Sequence, residues 1–225
     1  MANDLRVTLE IGPKGKKVVA VAPDWPGLEC GAATGETALE RLHSYLPRYA
    51  QVAKLAGMEA ELAASTAVDV VEQYPGVSST DFWGISFAFS SIDRQHLSRE
   101  EVERELTLIE ACWAFFDAVR VRVSAEMRKG PRGGGRERDH IVRHTLSTEQ
   151  DFAQKVGVCT PHGALLTDEG LQAHRDAYRT ALRAFHAEGK MARTWPLRYL
   201  IRHTAYHTLD HAWEMEDKDL TGSVR

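Results

Sequence analysis

The stretch YLIRHTAYHTLDHAWE, residues 199–214, places His203, His207 and His211 four residues apart. On a helix, side chains at i and i+4 share one face one turn apart, so two imidazoles can converge on a single ion. Three in a row cannot, because i and i+8 lie about 12 Å apart along the axis. At about 100° per residue, His207 and His211 straddle the direction of Leu200, while His203 turns about 60° away towards Glu214. The His207–His211 pair is therefore the better aimed at a helical interior.

An open metal site needs a further ligand from another element. The stretch DHIVRHTLSTE, residues 139–149, offers His140 and His144, again at i, i+4. His144 lies nearer the apolar stripe of Ile141, Thr145, Leu146, Phe152 and Val156. Glu149 falls inside that stripe, an unusual place for a carboxylate. A ligand, an orienter of an imidazole and a proton carrier are its three functional readings. A buried carboxylate paired with an arginine is the structural one.

Around these stretches the chain changes period. From Ser98 onwards, apolar residues recur at 3.6. Ser98 and Glu101 form a capping box before a helix expected over 99–128. Three more are expected over 137–156, 168–188 and 196–216, with Thr167 and Thr194 as caps of the last two. Four such helices suggest a four-helix bundle. The glycine-rich connection at 130–136 lacks the ending of a phosphate loop and follows no strand, so it is read as a flexible linker.

The first half alternates instead. Val7 to Ile11 and Lys17 to Ala22 read as a hairpin around Gly12-Pro13-Lys14-Gly15. A helix is expected over 35–56, with Pro47 as a kink or break. Val68 to Tyr74 and Phe82 to Phe89 read as strands. The expected class is α+β, with a small α/β module at 1–93 and a helical bundle at 97–217.

The 225 residues carry 28 Lys+Arg against 32 Asp+Glu, a formal net charge of −4. That balance gives no polyanion footprint, which argues against nucleic acid as a partner. No apolar run reaches the roughly 20 residues a membrane span needs, and no signal peptide is readable. Cys30, Cys112 and Cys159 fit neither a disulfide framework nor a cysteine zinc site. A cytoplasmic protein is the resulting expectation.

Residues 195–217 and 139–149 resemble the last and second helices of the DinB-like superfamily. The resemblance implies a four-helix bundle holding a divalent metal on one histidine of the second helix and a His-x-x-x-His of a later one. Carried onto this sequence, these are His144, His207 and His211. It further implies a thiol-dependent S-transferase or isomerase using mycothiol, bacillithiol or glutathione on a small-molecule electrophile. Zinc is the expected ion, with nickel, iron or manganese as alternatives. Glu149 or Asp210 would orient ligands or carry protons, and Arg198 and Arg202 would hold an anionic cosubstrate unless they are solvated helix arginines. The competing readings are a non-catalytic metal-binding or stress-response protein and a metal-dependent hydrolase. VAVAPDWPG at 19–27 with GETALE at 35–40 resembles the HicB-like strand–strand–helix pattern, which implies a scaffold or a homodimerisation module.

Overall fold

In the computed structural model, residues 4–65, 67–130, 135–161 and 163–221 are described. Residues 131–134 of the glycine-rich connection, and His162, lie outside them. The chain is mixed α+β. A four-stranded sheet has the order β3-β2-β1-β4, formed by β1 (Leu5–Ile11), β2 (Val18–Val21), β3 (Glu29–Ala32) and β4 (Val68–Pro75). The hairpin partners β1, β2 and β3 are antiparallel, whereas β4 runs parallel to β1. A parallel return needs a crossover. It is supplied by α1 (Gly35–Leu55) and the short α2 (Glu59–Ala64).

Thr34 caps α1 reciprocally with Thr37. The helix runs through Pro47 without the expected break. Ala38 and Leu42 before it, and Tyr49, Val52 and Ala53 after it, are all buried. Packing on both sides offsets the missing hydrogen bond, a cost of about 3 kcal/mol.

The expected strand at 82–89 does not form. The short helix α3 (Ser78–Trp83) occupies its start and closes on Gly84 at φ 68°. Gly31 and Gly84 meet so closely that a Cβ on Gly31 would strike the Gly84 carbonyl. The following backbone donates to carboxylates rather than to a strand. Phe87 N and Ala88 N each lie 3.1 Å from a Glu10 oxygen, and Ser86 N lies 3.2 Å from Glu29 Oε1. Thr8 and Glu10, two of the three polar positions of β1, are buried, whereas Arg6 is exposed.

Four long helices follow: α4 (Arg99–Arg122), α5 (Arg138–Ala153), α6 (Asp168–Ala187) and α7 (Leu197–Lys218). The Ser98–Glu101 capping box and the Thr167 cap form as expected, but α7 starts after Pro196 without a side-chain cap, so Thr194 plays no such part. Helix α4 stops six residues short of its expected end at Arg128. There the backbone turns to bond with the end of α7 instead: Ser124 N donates to Asp219 Oδ1 at 2.9 Å and Arg128 N to the Lys218 carbonyl at 2.8 Å.

Helix α7 packs against α4, α5 and α6 and is buried on nearly every side. A helix apolar or paired all round belongs in a core. The apolar core is continuous from the sheet to the helices, joining Val7, Trp25 and Tyr49 to Leu106, Phe116 and Leu209. Polar ties cross the same boundary. Arg48 of α1 bonds Glu216 and Asp217 of α7, both at 2.9 Å. Among the described residues no helix is long and apolar enough to cross a membrane.

Candidate metal centre

His144 on α5 and His207 and His211 on α7 come together, with one nitrogen from each ring lying within 4.8 Å of the others. The rings stand edge to face. Centroids are 5.1 Å apart for His144–His207, 4.9 Å for His144–His211 and 4.6 Å for His207–His211. His211 is buried, His207 is half-buried and His144 is partly exposed, so solvent reaches the cluster from the α5 side.

A metal ligand must offer a neutral imidazole. Burial holds His207 well below its ordinary range, helped by His211 and His144. Burial likewise lowers His144, with repulsion from His211 and Arg136 added. His211 is fixed differently. Its Nδ1 donates to Glu214 Oε2 at 2.8 Å, which leaves Nε2 with the free lone pair. Glu214 is itself 1% exposed and also accepts from Arg136 Nη2 at 2.8 Å and Lys218 Nζ at 2.9 Å. Burial opposes its ionisation, but the hydrogen bonds from His211 and Lys218 outweigh this and hold the carboxyl far below its usual range. Arg136 is the last residue of the glycine-rich connection, so the return into α5 is pinned to Glu214 of α7, beside the cluster.

No protein-family model matches the chain, and comparisons with curated proteins and with solved structures return no match.

The other histidines of the two pairs fall outside the cluster. His140 is exposed. His203 is buried, but among the rings of Tyr199, Trp195 and Phe152, with Nδ1 lacking a hydrogen-bond partner among the described residues. Glu149 sits five residues beyond His144, and both its oxygens are taken by Arg175, at 3.0 and 3.3 Å. Burial raises its carboxyl despite that arginine. Asp210 is half-buried, one position before His211 and thus about 100° around the helix from it.

Neither arginine proposed for an anion is free. Arg198 Nε bonds Glu105 Oε1 at 2.7 Å and its Nη2 bonds Glu101 at 3.0 Å. Arg202 grips Asp93 through two nitrogens, at 2.7 and 2.8 Å, and reaches Glu29 at 3.2 Å. Both guanidinium groups are buried against carboxylates of this chain. Sequence reasoning passed over Glu214, Arg136 and Lys218. Glu214 was findable, since it stands at i+3 from His211 and i−4 from Lys218, both on one helix face.

Proposed function

We propose that the chain is a metal-dependent enzyme of the DinB-like type, transferring a low-molecular-weight thiol to a small electrophile. The observation that carries this is the convergence of His144, His207 and His211. They come from the second and fourth of the four long helices that follow Ser98, which is the order the superfamily resemblance implies. The donor set fits a divalent ion: three imidazoles, two of them held neutral by burial, and the third aligned by a carboxylate. Zinc suits three nitrogen ligands best.

An ion held by His144, His207 and His211 would keep its full charge and would lower the pKa of a thiol or water brought to it. The chain's own residues prepare that event. Glu214 holds the His211 ring in one orientation and tautomer. Arg136 and Lys218 neutralise Glu214, so that the carboxylate remains a fixed acceptor. The partly exposed His144 side admits the thiol and its electrophile. In the transfer, the thiol S–H bond breaks and its proton leaves to water. A carbon–sulfur bond forms as the leaving group departs with its electron pair. The arginines do not serve the cosubstrate, since Arg198 and Arg202 are committed to internal carboxylates.

The test is a thiol-consumption assay on protein reconstituted with zinc, using mycothiol, bacillithiol, glutathione and cysteine with several electrophile classes. Consumption should stop with chelator and return with metal. Activity equal to that of the metal-free protein with every thiol would overturn the transferase proposal, and ester or amide hydrolysis under the same conditions would favour a hydrolase.

A further inference from the structure

A second cavity lies away from the histidine cluster. Its volume is about 540 Å³, and it is walled by the start of β1, the turn after β2, α2, the start of β4 and the first turns of α4 and α7. Arg198, in its wall, precedes His207 and His211 by nine and thirteen residues on α7. It therefore stands about 14 and 20 Å from them along the axis.

The charges in this cavity do not balance. Each of its three arginines is already matched. Arg6 pairs with Asp24 at 2.5 Å, Arg104 with Glu61 at 2.6 Å, and Arg198 with Glu101 and Glu105 at 3.0 and 2.7 Å. Carboxylates remain over. Asp4 and Asp69 line the cavity and make no ion pair among the described residues. Glu105, 3% exposed, uses Oε1 for Arg198, while its Oε2 has no hydrogen-bond partner among the described residues. A buried carboxylate oxygen without a donor is rare in folded proteins and calls for a missing partner. Burial accordingly drives this carboxyl up to about 7, although Arg198 pulls the other way.

We propose that this cavity binds a small organic cation, an alkylammonium whose charged nitrogen meets Glu105 and whose other end lies towards Asp69. A metal ion is the poorer occupant. Among the described residues only the histidine cluster brings three ligand atoms within 4.8 Å of one another, so these carboxylates do not converge on a point. Charges spread over a cavity of this size match a molecule with some length and a hydrocarbon body. Its wall also includes Trp25, over whose ring the Arg104 guanidinium sits at 4.8 Å, an aromatic face already engaged with a cation. The site is independent of the metal centre.

The experiment is calorimetric titration of the full-length protein at low ionic strength with putrescine as the probe. 1-Butanol and succinate serve as neutral and anionic controls. Putrescine should bind saturably to one site per chain, and the controls should not bind. Glu105→Gln should weaken binding by roughly tenfold or more, because it removes the buried partner. Asp69→Asn, on the exposed start of β4, should weaken it about threefold. Glu188→Gln, at the end of α6 and outside the cavity, should leave it unchanged. Circular dichroism checks that each variant folds, and if Glu105→Gln does not, Asp69→Asn against Glu188→Gln decides. The proposal is overturned if putrescine does not saturate, or if the Asp69 and Glu188 variants bind it equally.

Discussion

Replacing Arg202 by alanine should destabilise the protein by about 4 kcal/mol at neutral pH. The side chain is 2% exposed and ties α7 to the sheet half of the molecule. Without it, Asp93 loses two charge-assisted bonds, of 2.7 and 2.8 Å, and keeps those from Ser90 N and Oγ, both at 2.9 Å. Glu29 loses its bond of 3.2 Å and keeps only Ser86 N at 3.2 Å. Stripping one partner from a buried ion pair costs about 3–5 kcal/mol. Glu29 softens the loss, because burial already raises it to about 8 and it can take up a proton. At about 2–3 kcal/mol per molar urea, the midpoint should fall by roughly 1.5 M. The pH dependence carries a definite sign. Burial pushes the Asp93 carboxyl up and Arg202 outweighs it, holding the group below its ordinary value; with Arg202 gone, burial is opposed only by Ser90, so the folded variant takes up a proton on Asp93 that the wild type refuses. Glu29, already raised in the wild type, takes up its proton in both proteins and cancels, so Asp93 sets the sign and the deficit should be smaller at pH 5.5 than at pH 7.5. Urea denaturation at both pH values decides the matter. A deficit below about 1 kcal/mol, or one identical at both pH values, would refute the account of this network.

Three further outcomes are expected. Glu214→Gln should weaken metal affinity about 10- to 100-fold, read by competition with a chromophoric chelator; unchanged affinity would mean that Glu214 does not align His211. Burial holds His203 down at about 3, so below its ordinary value of about 6.5 the unfolded state binds protons that the folded state refuses. Its stability contribution is complete above pH 6.5 and lost as pH falls towards 3, about 2–3 kcal/mol by pH 4.5. His203→Phe should flatten that acid limb, and an unchanged slope would contradict it. Finally, residues 97–225 expressed alone should unfold without cooperativity, since α4 and α7 share their core with Trp25, Tyr49 and Leu42; a sharp thermal transition in the fragment would show that the helices need no sheet.

The helical half was legible because its signals are local. Periodicity, the Ser98–Glu101 box and the Thr167 cap all act within one or two turns, and the helices lie within a few residues of their expected bounds, α4 apart. The pair that meets His144 was legible for the same reason, since a rotation of about 100° per residue distinguishes His207 and His211 from His203. What stayed hidden depends on partners far along the chain. The segment after α3 carries the alternation of a strand, yet its N–H groups go to Glu10 and Glu29, more than fifty residues away. The end of α4 is set by Asp219 and Lys218, about a hundred residues later. Glu149 shows the limit most clearly. Its place in an apolar stripe announced a buried carboxylate, but only the fold supplies Arg175 from α6 as the partner.

The central claim is that three particular histidines form one metal site. Elemental analysis of the protein purified with zinc, alongside His144→Ala, His207→Ala, His211→Ala, His140→Ala and His203→Ala, tests it most directly. About one equivalent of metal is expected in the wild type and in the His140 and His203 variants, with little in the other three, because losing one of three protein ligands leaves too few to close a site. Full metal content in the His207 or His211 variant, or loss confined to His203→Ala, would contradict it.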